Sequence, residues 1–560
     1  MDEFDFREKS EYRVDVFHED VGEIGKAKLY FGEYGAIRLL LEDSIFSPHV
    51  KGSARFDVLK TKSELGESFT LFGCKCFGYM FYADFLVMGD VDDEFSEIRI
   101  HYSGITSWFA RWQKIEGRIG EQLTWVNHPE PVKVVVNRGS YGLEVRTEAA
   151  NGFNQVGEDY IFHEHVDFLL SKTSGFFLAK EVRQESLDLA NLLSILLANP
   201  ISVISADVTS KTGRPYCAYF GAFKRVEKHE SNQDFPQKCL LPTGTLDGRW
   251  QSVFQNYNDS THREVSWRRM AGMQRYEGFW EYGVLGYVSL LDKYVTQRSK
   301  GQVKPFVSLS AKRKAWASNE LNKIRPALDV SQHAKVLALM ERSHSRSREP
   351  NFAEQFDYCL NQSSPDVVKI INITNDEFKH IKDIRDAIAH GDAITQVSDD
   401  LTRVTQIIDK ITLIMMYWAH LDFGLKDEDF YNWFGHNHNH LSLNQGIDKR
   451  HLEKMKGVAK FLLVSKKEFN KINLSRKSRI YIFLEIGVRG GVKYSERYTR
   501  LYESYLRENK TRNGLVTFKD IFSLENDYVV WSGKIYVDHG DETLLLDIAH
   551  LIEHEPSQSK

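Results

Sequence analysis

Six consecutive residues, Arg385-Asp386-Ala387-Ile388-Ala389-His390, carry the side-chain types that cleave a phosphodiester bond without a metal. A guanidinium binds and stabilises an anionic phosphate, and an imidazole moves protons near neutral pH. On a helix Asp386 and His390 stand i,i+4 and share a face, so the carboxylate can orient or polarise the ring. Arg385 lies five residues before His390, roughly 140° around the axis at 3.6 residues per turn. Its side chain must curl round, or the last turn must loosen, for both groups to reach one substrate. The same spacing suits an exposed helix with an Arg–Asp ion pair and a terminal histidine favoured by the helix dipole. The six residues alone leave both readings open.

Three other groups could do chemistry. His436, His438 and His440 recur at i, i+2 and i+4, and on a strand they would share one face, as a metal site needs. No Asp or Glu lies within that run, and Asn437 and Asn439 favour a turn, so neither a metal nor another cofactor is expected. Gly487-Val488-Arg489-Gly490-Gly491-Val492-Lys493 fits neither a P-loop nor a dinucleotide fingerprint and reads as a flexible turn. Tyr494, Tyr498, Leu501, Tyr502 and Tyr505 fall on one helical face with Arg497, Arg500 and Arg507 interleaved. Such interleaving suits single-stranded or looped RNA, and it equally suits a buried stripe. Some tyrosines are expected in a core, and Arg497 and Arg500, with Lys466, Lys467, Arg476, Lys477 and Arg479, are expected to form an RNA-facing surface.

Helices must position the first of these groups. Thr374-Asn375-Asp376-Glu377 is a capping box that opens a helix, Phe378, Ile381, Ile384 and Ile388 supply its buried face, and Gly391 ends it. Ser398 or Asp399 caps the next, with Val404, Ile408, Ile411, Met415 and Trp418 as its stripe. Upstream, Trp280, Val284, Tyr287, Leu291 and Val295 repeat every three or four residues, so the chain reads as a helical bundle from about Tyr276. Arg342 to Pro350 reads as a solvated inter-helix loop. Up to about residue 225 the pattern is mostly strands, among them Ser68–Phe72, Phe85–Met88, Glu97–Tyr102 and a hairpin of Val132–Val136 with Gly142–Arg146. One helix intrudes near Glu185–Leu197. After the polar break at 434–440, helices are expected near His451–Val464 and Tyr494–Asn509, and strands at Ile480–Ile486 and Tyr528–Trp531. The fold class is therefore multidomain α+β, with a β-rich N-terminal part, an all-α bundle and a basic mixed α/β module at residues 440–560.

At 560 residues, with 42% apolar and 27% charged side chains, the chain is neither collagenous nor wholly disordered. The total charge of −5 argues against a nucleic-acid binder until its distribution is read: Lys449 to Arg512 holds 18 Lys or Arg and 6 Asp or Glu. That segment carries +12 and the remainder −17, so a phosphate-bearing partner is expected near one end. Five cysteines form no disulfide framework, and Cys74 and Cys76 read as alternate residues of one strand. No leader pattern opens the chain and no apolar run approaches the ~20 residues of a membrane span, so a cytosolic protein without membrane contact is expected.

The string from Arg385 to His390, with Asp386 after the arginine, a small apolar spacer and Gly391 after the histidine, resembles the Arg-x(4–6)-His signature of HEPN ribonucleases. Its place late in a helical region matches that family. Gly25–Tyr30, Phe69–Cys74, Phe95–Ile100 and Ile105–Phe109 resemble the β-rich N-terminal domain of ApeA-like abortive-infection proteins, where such a domain precedes a HEPN domain. Together the resemblances cover roughly residues 20–425 and imply an N-terminal sensor or regulatory domain over 1–265 and a HEPN domain over 266–430. They further imply a homodimer or larger homo-oligomer whose facing motif helices form a composite, metal-independent site. His390 would act as base on the ribose 2′-hydroxyl or as acid on the leaving oxygen. Arg385 would hold the phosphate and Asp386 would position His390. The implied substrate is host RNA, tRNA above all, and the implied trigger is a phage component. A non-catalytic RNA- or protein-binding scaffold, or the toxin of a toxin–antitoxin pair, are the alternatives.

Overall fold

The computed structural model describes residues 4–42, 55–109, 115–118, 122, 124–126, 129–157, 159–223, 235–302, 311–345, 350–391, 401–434, 438–443, 446–487, 490–508, 517–524 and 528–554. The chain divides into two compact units, Met1–Gly446 and Ile447–Lys560.

Alternating apolar residues in the first 83 positions build six antiparallel strands: β1 (Lys9–His18), β2 (Gly22–Gly32), β3 (Ile37–Leu41), β4 (Arg55–Ser63), β5 (Ser68–Phe77) and β6 (Met80–Ala83). They pair in the order β4-β1-β2-β3-β6-β5, and β5 pairs back to β4, so the ring closes into a barrel. Val14, Leu29, Leu39, Leu59, Leu71 and Phe81 fill it, each at most 3% exposed. Closure satisfies both edges of every barrel strand, which an open sheet leaves bare.

The sheet does not stop at the barrel. The first half of β5, Phe69–Phe72, pairs with Phe85–Met88, while its last residues, Lys75–Phe77, pair with β6. Gly73 stands at the changeover with φ of 67°, and a Cβ there would lie 2.8 Å from the Asp84 carboxylate. From Phe85–Met88 the order runs through Pro215–Tyr219, Val203–Ser210, Phe95–Tyr102, Asp159–Lys172, Gly142–Val156 and Lys133–Asn137. The last two form the expected hairpin, Asn137 opposite Gly142. Cys74 and Cys76 lie buried on β5, as their spacing implies.

Helix α1 (Ala179–Leu197) joins the sheet to the helices. Leu192, Leu193, Leu196 and Leu197 are at most 2% exposed. On its sheet side Ser186 O accepts from the Tyr102 hydroxyl at 2.6 Å. On its helical side Asp188, 4% exposed, accepts from Arg268 Nε at 2.9 Å and the Tyr257 hydroxyl at 2.8 Å. Arg138, from the hairpin turn, lies 3.3 Å from the same carboxylate and Arg263 3.9 Å. Burial alone would raise the Asp188 carboxyl, but the three guanidinium groups outweigh it and hold it below its ordinary range.

Helix α2 (Trp280–Arg298) touches α3 (Phe352–Asn361), α5 (Asn375–His390) and α6 (Leu401–Asp422), with α4 (Pro365–Ile371) against α3 and α6. Every residue of α6 from Asp409 to His420 is buried, so this helix is the centre of the bundle rather than one of its walls. Arg342 to Ser345, expected in a loop, continue the helix Val330–Ser345, where serine and arginine keep enough helix propensity to extend it.

The second unit is a five-stranded mixed sheet in the order Ala459–Leu463, Tyr528–His539, Glu542–His554, Ile482–Ile486, Val492–Tyr494. Residues 459–463, expected in a helix, form an edge strand parallel to Tyr528–His539 instead. The helix before it, Lys449–Met455, ends ahead of Gly457, and the apolar run beyond gains a sheet partner that local sequence could not announce. Alternation along Ile482–Ile486 splits two cores. Ile482 and Leu484 pack with Phe469 and Ile472 of Lys466–Ser478, and Phe483 packs with Tyr498 of Glu496–Glu508 and Phe522 of Phe518–Phe522.

Two buried ionisable neighbours on α6 make this fold testable. Lys410, 3% exposed, donates to Asn372 O at 2.8 Å and to both Glu377 oxygens at 2.8 and 3.1 Å. Replacing it with alanine strands Glu377 against the bundle and should cost about 3–5 kcal/mol in urea unfolding. Asp409, 8% exposed, has its carboxyl pushed up to about 7 by burial. An acid raised above its unfolded ~4 contributes stability below that pH and loses it as pH climbs from 4 through 7. Asp409→Asn should therefore raise the melting temperature more at pH 8 than at pH 5.

Candidate functional site

Both ends of α5 follow the expected chemistry. Thr374 Oγ1 accepts from Glu377 N–H at 3.2 Å and Glu377 Oε2 accepts from Thr374 N–H at 2.9 Å. The helix stops at His390, with Gly391 at φ of 74° donating to Ile388 O. Phe378, Ile381 and Ile384 are buried as expected, Ile388 in the last turn is only half-buried, and Phe378 stacks on Phe356 with ring centres 4.5 Å apart. Since Glu377 also receives Lys410, one carboxylate caps the helix and ties its first turn to α6. The caps proposed for α6, Ser398 and Asp399, lie outside the described residues.

The other end of α5 carries the chemistry. Arg385 Nη2 lies 3.3 Å from Asp292 Oδ2 on α2, Nη1 lies 3.0 Å from Asp386 Oδ1, and the guanidinium carbon sits 5.5 Å from the centre of the Phe352 ring. Its Nε is buried and has no hydrogen-bond partner among the described residues. Asp386 Oδ2 receives Lys382 Nζ at 3.0 Å, so both Asp386 oxygens face cations of their own helix. His390 is exposed, at the helix terminus whose partial charge favours a cation. Five residues correspond to about 7.5 Å along the axis. The arginine is therefore braced and partly sheltered, while the histidine is exposed at the helix end.

No residue pattern marks Asp292. Burial lifts its carboxyl above the ordinary range against the lowering pull of Arg385. It lies one residue after Leu291 in the α2 stripe, and only the packing of α2 on α5 identifies it as the arginine's partner.

The basic residues of the second unit divide. Lys466, Lys467, Arg476 and Lys477 are exposed on the helix that covers one face of the sheet. Arg497 and Arg500 are exposed on the helix that covers the other face, where Arg497 lies over the Tyr498 ring and Arg500 pairs with Glu496. Arg479 pairs with Glu503 at 3.1 Å. Tyr498 and Tyr502 face the core, Tyr502 in edge contact with Phe483. The seven cations thus do not share one face.

His436 lies outside the described residues. His438 donates its backbone N–H to Gln237 O and His440 opens a short helix, so those two do not lie on a strand. Among the described residues no group of three His, Cys, Asp or Glu side chains is arranged to hold a metal, and no helix is long and apolar enough to cross a membrane.

A second polar constellation sits in the long sheet. Asp167, 3% exposed, receives Arg99 at 3.2 Å and faces His101 Nδ1 at 3.1 Å, with His165 Nε2 at 3.6 Å. Burial raises the Asp167 carboxyl, but His101, His165 and Arg99 bring it below its ordinary range. The group lines a cavity of about 430 Å³ with Asp5 and Arg7. The period-two spacing of His165 and Asp167 is the signal in the sequence that puts both on one face of a strand.

The Asp292–Arg385 pair is partly exposed, 36% and 21%, so Asp292→Ala should cost no more than about 1 kcal/mol in thermal or urea unfolding, far less than loss of Lys410.

Residues 19–257 match a family model described as ApeA N-terminal domain 1. No curated protein and no solved structure matches the chain. The matched span begins in the β1–β2 turn and ends at Tyr257, so it takes in most of the barrel, the long sheet and α1 but not α5.

Proposed function

We propose that this chain is an anti-phage abortive-infection protein whose helical bundle cleaves host RNA. The N-terminal match to ApeA supports the defensive role, with the barrel and long sheet as the part that senses a phage component or restrains the bundle. The observation that carries the catalytic half is the end of α5: a braced, phosphate-seeking Arg385 and an exposed imidazole, His390, on one capped helix.

In this reading Arg385 binds the scissile phosphate and neutralises the charge that grows on it. His390 removes the 2′-hydroxyl proton, and the ribose oxygen attacks the adjacent phosphorus. The 5′-oxygen leaves and takes up a proton, supplied by the imidazole of a second copy in a homo-oligomer. Products are a 2′,3′-cyclic phosphate and a 5′-hydroxyl. DNA, lacking the 2′-hydroxyl, is spared. Asp386, whose two oxygens face Lys382 and Arg385, positions the arginine in place of the role at His390 that the resemblance implies. tRNA is the RNA class proposed as target, and the cytoplasm is the compartment.

A second reading has one observation in its favour. Arg385 already has Asp292, Asp386 and Phe352 as neighbours, which suits a structural arginine in a non-catalytic RNA- or protein-binding scaffold. The two readings part on one experiment. Sequencing of 2′,3′-cyclic-phosphate ends from cells producing wild type, Arg385→Ala or His390→Ala should show sites for wild type alone. Purified variants should cut RNA at least 100-fold more slowly, with EDTA leaving the wild-type rate unchanged. His390→Ala protein that cuts as fast as wild type would refute the assignment.

A further inference from the structure

The outer wall of the barrel carries a cluster of exposed aromatic side chains, Phe77, Tyr79 and Tyr82. Register places its side chains in transverse rows. Tyr30 on β2 stands opposite Arg38 on β3, Arg38 opposite Tyr82 on β6, and Tyr82 opposite Lys75 on β5. The adjoining row runs Lys28, Leu40, Met80 and Phe77 across the same four strands. Alternate residues of each strand point into the barrel, as the burial of Leu29, Leu39, Phe81 and Cys76 shows, so both rows face outward.

Phe77 is 58% exposed, Tyr79 in the adjoining turn 61%, and Tyr82 and Leu40 37% each. Phe77 and Tyr82 meet edge to face at 6.0 Å, which fixes two rings side by side rather than letting them collapse onto the wall. Cations alternate with them. Lys28 and Lys75 have margin carboxylates within reach, Glu11 at 3.9 Å and Asp84 at 3.5 Å. Arg38, between Tyr30 and Tyr82, is exposed and has no ion-pair partner among the described residues.

Exposed rings spaced by cations on a twisted antiparallel surface recognise unpaired bases by stacking and the linking phosphates by charge. We propose that this face binds a single-stranded polynucleotide, with bases stacking on Tyr82, Phe77 and Tyr79 and a phosphate held by Arg38. An apolar protein partner would leave Arg38 buried without an acceptor, whereas a phosphodiester supplies one. A duplex would hide its base faces from the rings. The proposal stands independently of cleavage at α5, because its measurement is binding alone.

The test uses full-length protein carrying His390→Ala, in EDTA, with fluorescein-labelled 15-nucleotide oligouridine and oligodeoxythymidine read by anisotropy. The two oligomers separate an RNA ligand from a DNA ligand, and tight binding of either one fits. Phe77→Ser with Tyr82→Ser should weaken binding by about tenfold or more. Arg38→Glu should weaken it and flatten its dependence on salt. Tyr82→Phe and Phe77→Tyr, which keep the rings, should bind within about threefold of the parent. All these side chains are exposed, and unchanged melting temperatures will show that folding is intact.

Lys466→Glu with Lys467→Glu serves as a control on the second unit and should leave the Phe77 and Tyr82 effect in place. Binding indifferent to the double serine variant, or no binding at low salt, overturns the proposal. So does a double serine variant that changes the oligomeric state in sedimentation while nucleic-acid affinity holds, since the face would then be a contact between copies of the chain.

Discussion

One carboxylate, Asp188, decides how the first unit is put together. It lies on a helix packed on both sides, beyond the reach of bulk solvent, and its charge is tolerable only because cations converge on it from three segments. Arg138 reaches it from a hairpin turn of the long sheet. Arg263 and Arg268 reach it from the helices that lead into the bundle. Hydrophobic burial would let α1 slide or rotate between its two layers with little change in area. A charge with fixed donors does not, so the sheet and the bundle hold a single orientation about that helix.

The same logic recurs at smaller scale on α5. Its first turn is tied to α6 through Glu377 and Lys410, and its last turn to α2 through Arg385 and Asp292. Between these ionic ends the helix lies against α2 and α6, and Phe378 packs on Phe352 and Phe356 of α3. A helix fastened at both ends keeps its terminal histidine at a constant height above the bundle, although the imidazole itself is exposed. Precision at His390 thus comes from contacts that begin five residues away.

Much of this was legible from residue patterns, and the exceptions share a cause. The capping box at Thr374 and the stop at Gly391 depend on neighbours within four residues, and both stand where the spacing put them. The strands at Ser68, Phe85 and Lys133 announce themselves as short β-branched and aromatic runs broken by Gly, Asp and Asn. Asp188 was hidden because it reads as the polar side of a leucine-rich helix, and its partner Arg268 lies 80 residues on. Asp292 was hidden likewise, 93 residues before Arg385. Closure of the barrel rests on strands of four and five residues, too short for alternation to be distinctive, and the strand at residues 459–463 needed a partner some 75 residues later. The basic segment looked like one patch because a linear tally of charge is blind to the two faces of a sheet.

A strand has two edges, yet β5 serves three neighbours by dividing its length at Gly73. The closed ring and the open sheet consequently have no seam between them. Any recombination that carried off the barrel would tear the flank of β5 from Phe85–Met88, and any that carried off the sheet would open the ring. The pair must be inherited whole, and a chimera built on this chain would have to exchange everything from β1 through Tyr219 as a single cassette.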